Sequence, residues 1–198
     1  MTLYTRPTAR RFRALGTSTL AATAVLAGTL AATASQASYA DTSSASRTNQ
    51  VSLKLQTSND ALDGCFPHAW AKVKVDLTTD DVGKDRFRIK TKGLQPRTDF
   101  TVFLLEQSGS PFGAAEYIGD FTTDRWGKGH GTFDLIVEEA FAFNNATQER
   151  TDLNAVGIWF ADETADDECL GENSPVTGFD GDAAAGVQMM NSGAHLLP

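Results

Sequence analysis

The fold of this chain is decided by one stretch, GLQPRTDFTVFLLE, which runs from Gly93 to Glu106. Gly93 and Pro96 are typical turn residues, because glycine permits a positive φ and proline presets φ to the value that a turn requires. From Phe100 to Leu105 nearly every residue is apolar, which predicts a strand covered on both faces. The stretch therefore predicts a turn that leads into a central strand of a packed sheet.

Further strands are predicted by apolar residues that recur at every second position. In 51–56, 72–77 and 86–90 this alternation places apolar side chains on one sheet face and charged side chains on the other. Strands are also predicted at 117–123, 132–137, 155–161 and 186–190, the first two as a hairpin. Residues 138–144 fit either a strand or a helical turn. Seven or eight short strands indicate an all-β protein, an antiparallel β-sandwich.

A short motif carries a family resemblance. The pattern Leu94-x-Pro96-x-Thr98-x-Phe100-x-Val102 resembles the corner before a late strand in fibronectin type III and related immunoglobulin-like domains, which usually carry tyrosine where this chain has Phe100. The segment 119–129 resembles hairpins of secreted bacterial β-domains. The chain after residue 40 as a whole is similar to secreted actinobacterial proteins of uncharacterised function. The resemblance implies an immunoglobulin-like sandwich and no particular activity.

The first forty residues are typical of a signal peptide. Four arginines, at positions 6, 10, 11 and 13, precede an apolar run at 14–34, and small residues follow it. Ser38 and Ala40 suit a signal-peptidase site, with Ala32 and Ala34 as an alternative, and an uncleaved anchor is the competing interpretation. Because Phe12 directly follows the arginine pair, we expect the general secretory route rather than the twin-arginine route.

The domain boundaries follow from this leader. We expect a signal peptide at 1–40, a disordered linker at 41–50, the β-sandwich at 51–190 and a flexible tail at 191–198. The segment 41–50 lacks any apolar periodicity. We expect a secreted monomer without stable membrane insertion after cleavage.

Charge narrows the classes of partner. The whole chain has 17 basic and 25 acidic residues, a formal charge of −8. Loss of residues 1–40 removes four arginines and no acid, which leaves 13 basic and 25 acidic residues and a charge of −12. Such a chain should repel nucleic acid and anionic lipid, so the expected partners are cations, basic proteins or neutral polymers.

Cys65 and Cys169 are the two cysteines of the chain. In an exported protein a lone pair of this kind predicts a disulfide, which would join the region after the first strand to a late acidic segment. A nucleophilic or metal-binding cysteine is the alternative.

That acidic segment is the candidate metal site. Carboxylates crowd into it, and oxygen ligands of this type suit calcium; the candidate ligands are Asp162, Asp166, Asp167, Asp180 and Asp182. A solvated surface loop is the competing interpretation. No other cofactor is predicted, because His68, His130 and His195 are scattered rather than clustered at ligand spacing.

Aromatic residues in or beside predicted loops are the candidate ligand-binding residues. They are Trp70, Phe112, Tyr117 and Trp126. Aromatic side chains on loops can stack on sugars or anchor protein partners, or they can fold back onto the core. Trp159 lies in an apolar run and is predicted to be a core residue.

No catalytic residue is assigned, because the chain carries none of the common nucleophile, zincin or phosphate-loop motifs. The sequence favours an exported, non-catalytic binding or envelope-associated module, with an extracellular or cell-wall polymer or protein as ligand. An extracellular hydrolase or metal-dependent enzyme is one alternative, since acid pairs such as Asp166 and Asp167 serve glycoside hydrolysis in other enzymes. A secreted protease inhibitor is another, with the loop 107–113 inserted into a protease.

Overall fold

The computed structural model describes residues 50–137, 139–178 and 184–198. The predicted signal peptide and nearly all of the predicted linker lie outside these ranges, as do Asp180 and Asp182. The strands are β1 Gln50–Thr57, β2 Trp70–Asp76, β3 Asp85–Lys92, β4 Asp99–Leu105, β5 Ala115–Thr122, β6 Gly129–Leu135, β7 Phe141–Asn144, β8 Glu149–Asp152, β9 Ala155–Phe160 and β10 Gln188–Asn191. Three short helices accompany them, α1 Asp60–Cys65, α2 Thr79–Val82 and α3 Asp167–Leu170. The all-β prediction is confirmed.

Eight strands form one antiparallel sheet in the order β5-β4-β9-β10-β1-β2-β3-β6, and β7 pairs with β8 separately. β1 and β10 meet only at their ends, where Gln56 lies opposite Asn191 and Thr57 opposite Met190. This junction divides the sheet into a first half, β1-β2-β3-β6, and a second half, β5-β4-β9-β10. The two halves bury one core between them, as a β-sandwich does.

β4 is the central strand that its sequence predicts. It lies between β5 and β9 and is buried along nearly its whole length. Phe100, Val102 and Leu104 enter the main core, whereas Phe103 and Leu105 face outward into a smaller apolar cluster with Trp159. Loops therefore cover the outer face of the second half of the sheet.

The turn before β4 needs its glycine. Gly93 has φ 70°, and a Cβ atom there would collide with the carbonyl group of His68. The following turn at 124–128 packs against it, because the Leu94 N–H donates to the Gly127 carbonyl at 3.2 Å. These two contacts fix the entrance to the central strand.

The predicted hairpin between 117–123 and 132–137 is wrong in its pairing. The turn at 124–128 forms as expected, with the Asp124 N–H donating to the Lys128 carbonyl at 2.8 Å. However, β5 pairs with β4 and β6 pairs with β3, so the turn connects the two halves of the sandwich. The Phe133 ring fills the space above Gly119, where any Cβ atom would strike it.

The end of the chain differs in detail from the prediction. The ambiguous segment at 138–144 contains strand β7, and its partner β8 was not predicted. In the predicted tail at 191–198, Asn191 ends β10 and Leu197 is buried, with its N–H donating to the Asn154 carbonyl at 2.7 Å.

The predicted disulfide is confirmed. Cys65 at the end of α1 is bonded to Cys169 in α3, with 5.9 Å between their Cα atoms. The bond ties the connection between β1 and β2 to the acidic segment after β9.

Candidate functional site

The first half of the sheet carries a basic surface on its outer face. β2 and β3 bury Val73, Val75, Phe87 and Ile89, so strand alternation turns the intervening charged residues toward solvent. We call the outward set the basic face; its members are Lys54, Trp70, Lys72, Lys74, Arg88, Lys90, Lys92 and His130. The apolar cluster around Trp159 covers the outer face of the second half of the sheet. Among the described residues, no such cluster lies over the basic face.

Strand register aligns these charges into rows. Lys54 of β1 lies opposite Lys72 of β2, and Lys72 lies opposite Lys90 of β3. The row ends at His130 of β6, which lies opposite Lys90. In the next row Lys74 is opposite Arg88. Like charges directly opposite each other destabilise a sheet, so this arrangement works against folding.

Acidic residues compensate the arginines at one end of the basic face. Arg88 Nη1 lies 2.7 Å from Asp76 Oδ2, and Arg86 Nε lies 3.2 Å from Asp134 Oδ1. A hydrogen bond from Gln50, and then one from Arg88, lowers the pKa of Asp76. Hydrogen bonds from Lys84 and then Arg86 likewise lower the pKa of Asp134. Both acids are therefore ionised partners at neutral pH.

The lysines of the basic face lack such compensation. Within the described part of the chain, Lys54, Lys72, Lys74, Lys90 and Lys92 have no carboxylate at salt-bridge distance. Their positive charge is therefore available to an external anion.

Trp70 supplies an aromatic surface at the other end of the basic face. It is half-buried at the start of β2, opposite Lys92, whose Nζ lies 5.3 Å from the indole centroid. Two shallow grooves adjoin it. One of about 210 Å³ is lined by Trp70, Lys72, Lys74, Arg88 and Lys90. The other, of about 510 Å³, extends across β3 to Lys128 and His130.

The other three aromatic candidates do not join Trp70 on the basic face. Phe112 folds back, with its ring 5.0 Å from that of the buried Trp159. Tyr117 is 53% exposed on β5, and its hydroxyl donates to Asp120 at 2.8 Å. Trp126 is 62% exposed in the turn before β6, with the Arg125 guanidinium 3.9 Å from its ring centroid.

Two of the three described metal candidates, Asp162 and Asp166, accept hydrogen bonds from protein donors. Asp162 Oδ1 accepts hydrogen bonds from the backbone N–H and the hydroxyl of Thr164, both at 2.7 Å. Asp166 is fully buried and accepts from the Ser174 hydroxyl and the Val187 N–H, both at 2.7 Å. Asp167 begins α3. Within the described ranges, no three His, Cys, Asp or Glu residues converge as a metal site. Calcium binding stays a prediction, which calorimetric titration tests.

The loop proposed for protease inhibition is held at both ends. The Gln107 N–H donates to the Phe112 carbonyl at 3.0 Å, and the Glu106 N–H donates to the Ala114 carbonyl at 2.9 Å. The Glu106 carboxylate also accepts the Ala114 N–H at 3.0 Å. Its aromatic residue, Phe112, contributes to the core rather than protruding.

The sequence predicted outward charges on these strands but missed the basic face. The signal was present as lysines at alternate positions of β2 and β3 and one lysine in β1, yet only the strand order brings these segments side by side.

Comparisons with known proteins assign no family and no function to the chain. The chain matches no known protein family, and no curated protein is similar to it in sequence. No helix in the described residues has the length and apolar character needed to cross a membrane.

Proposed function

We propose that this chain is an exported, non-catalytic binding module that holds an anionic ligand on the basic face of its sandwich. The immunoglobulin-like character suggested by the corner at 94–102 and the secreted bacterial character suggested by the segment 119–129 belong to the same proposal. The disulfide supports export, because such bonds persist in oxidising compartments.

The row formed by Lys54, Lys72 and Lys90 carries the proposal. Each cross-strand pair of like charges destabilises the sheet, whereas a pair of opposite charges would stabilise it by roughly 0.2–1 kcal/mol. Folding alone would favour an acidic residue at position 72, between two lysines. An anionic ligand supplies the missing negative charge and turns the repulsion into a source of binding energy.

Charge segregation changes the expectation drawn from net charge. The chain is acidic overall, which predicted cations, basic proteins or neutral polymers as partners. Its basic residues are concentrated on β1, β2 and β3, whereas acidic residues crowd the segment after β9. A local positive potential directs binding at short range, because distant charges are screened within about 8 Å at physiological ionic strength.

Chromatography on immobilised heparin, used as a general polyanion, tests this function. The wild-type chain should be retained at low salt and released as salt rises. The variant Lys72→Gln/Lys90→Gln should elute at lower salt, with roughly thirtyfold weaker affinity if each lysine contributes about 1 kcal/mol.

The matched control is Arg97→Gln/Arg150→Gln. It changes net charge by the same amount at exposed positions outside the basic face, so it should elute with the wild type. Equal shifts in both double variants, or no retention of the wild type, would refute the basic face as the binding surface.

A further inference from the structure

We propose that the ligand is an acidic polysaccharide, with one sugar ring on Trp70 and its acid groups on the neighbouring lysines. This inference rests on the proposed function and adds the chemical class of the ligand. Three features of the basic face carry it: the shape of the grooves, the type of basic residue left uncompensated, and the position of the indole.

The shape of the grooves fits an extended chain. Sites for small molecules usually enclose most of the ligand. Here both grooves are open to solvent, and lysines of strands β2 and β3 lie along them. They share Trp70, Arg88 and Lys90, so one chain can follow the surface from the indole across the strands.

The type of basic residue indicates repeated acid groups of variable orientation. Arginine binds carboxylates in a fixed bidentate geometry, whereas lysine is a point charge on a flexible stem. Both arginines on these strands are engaged by Asp76 and Asp134, and the uncompensated charges are lysines. A polymer with an acid group on successive sugars presents repeated negative charges, which flexible lysines can follow.

The position of Trp70 favours a sugar. The C–H face of a sugar ring is apolar and slightly positive, which complements the negative face of an indole. Trp70 lies in line with Lys72 and Lys74 on the outer side of β2, so a ring on the indole brings its acid groups toward these lysines. Single-stranded nucleic acid instead needs several aromatic platforms for successive bases. Among its described members, Trp70 is the only tryptophan, tyrosine or phenylalanine of the basic face.

Titration calorimetry with four probes tests the inference. They are polygalacturonate oligomers, their methyl esters, polyglutamate of matched charge, and oligothymidylate. We expect polygalacturonate to bind most tightly and the uncharged ester to bind at least tenfold more weakly. Trp70→Leu should weaken polygalacturonate binding about two- to tenfold and leave polyglutamate binding unchanged.

Two further variants separate a lost contact from a damaged fold. Trp126→Leu, which removes an exposed tryptophan outside the basic face, should change no affinity. Trp70→Phe should restore most of the binding to polygalacturonate, because it retains an aromatic surface. In the Trp126→Leu variant Trp159 is buried, so protection from acrylamide quenching by the bound oligomer reports on Trp70.

The outcomes distinguish the two proposals. Equal affinities for polygalacturonate and polyglutamate, with no effect of Trp70→Leu, would refute the sugar and leave the anion-binding function in place. Tighter binding of oligothymidylate than of polygalacturonate would replace the polysaccharide with nucleic acid. Failure of every anionic probe to bind would overturn both proposals.

Discussion

Lys72 and Lys90 lie directly opposite each other on neighbouring antiparallel strands, and Lys54 flanks Lys72 on its other side. The middle lysine therefore has a positive neighbour on both sides. A sheet selected for stability alone would alternate the signs of these charges. The arrangement predicts that stability and ligand binding oppose each other at position 72.

Lys72→Glu should raise the free energy of unfolding and remove anion binding. The substitution converts two repulsive pairs into two attractive ones, and the attractive pairs alone should contribute roughly 0.4–2 kcal/mol in total at 0.2–1 kcal/mol each. Urea denaturation measures the stability, and heparin affinity measures the binding. The control Lys92→Glu makes the same charge change opposite Trp70 rather than between two lysines, so it should give no comparable gain. A less stable Lys72→Glu variant would contradict this account.

Salt should stabilise the wild-type chain through the same repulsion. Raising ionic strength shortens the screening length to about 3 Å at 1 M, which weakens repulsion between exposed lysines. The melting temperature should therefore rise with sodium chloride in the wild type and rise less in Lys72→Glu. Scanning calorimetry over a salt series checks this difference, and equal slopes would argue against cross-strand repulsion.

The strands were predictable because their periodicity is local. The apolar run at 100–105 marked the buried central strand, and alternation at 72–77 and 86–90 placed lysines outward. Strand order is not a local property, so the alignment of Lys54, Lys72 and Lys90 in one row could not be predicted. Net charge gives no sign of the basic face for the same reason, since it sums over the acidic and basic surfaces.

Other errors have identifiable causes. β8 has the sequence ERTD, which contains no apolar residue to reveal a strand. The turn at 124–128 carries ordinary hairpin signals, but its flanking strands pair with β3 and β4 instead. The sequence left exposure and folding back both open for the aromatic candidates. Trp126 and Tyr117 are exposed, whereas Phe112 folds back onto Trp159.

Removal of the disulfide should lower stability strongly. Cys65 and Cys169 are separated by 104 positions in sequence, and in the chain-entropy model a cross-link closing a loop of about 100 residues contributes about 4.7 kcal/mol. Cys65→Ala/Cys169→Ala should lose a large part of this amount in urea denaturation at neutral pH. Heparin affinity of the folded variant should stay unchanged, because the bond lies outside the basic face. A loss below about 1 kcal/mol would show that the bond adds little.

Asp166 should stabilise the acidic segment by hydrogen bonding, without need of a cation. Its carboxylate accepts from Ser174 and from the Val187 N–H, and it is fully buried. Asp166→Ala leaves two partly buried donors unsatisfied, which should cost about 1–3 kcal/mol in total. Denaturation in the presence of a calcium chelator measures this loss. If the Asp166→Ala variant is as stable as the wild type in the presence of the chelator, Asp166 does not stabilise the acidic segment.

Asp85 should give the chain a distinct sensitivity to acid. This carboxylate is buried and accepts N–H bonds from Thr78 at 2.7 Å, Thr79 at 3.0 Å and Val137 at 2.8 Å. Burial raises the pKa of Asp85, but the hydrogen bonds, that from Val137 foremost, outweigh burial and hold the pKa below its usual value. Its ionised form is therefore the one that stabilises the fold.

The sign of the pH dependence follows. The pKa of Asp85 in the folded chain lies below the unfolded value of about 3.9. The stabilisation by ionised Asp85 is therefore complete above about pH 3.9 and is lost as pH falls through the folded-state pKa. Asp85→Asn retains one acceptor oxygen but turns an amide group toward an N–H donor, so it should cost about 1–3 kcal/mol at pH 7. The difference from wild type should shrink below pH 4. Urea denaturation at pH 3 and pH 7 measures it, with the exposed Asp120→Asn as control; a pH-independent difference would assign the loss to packing instead.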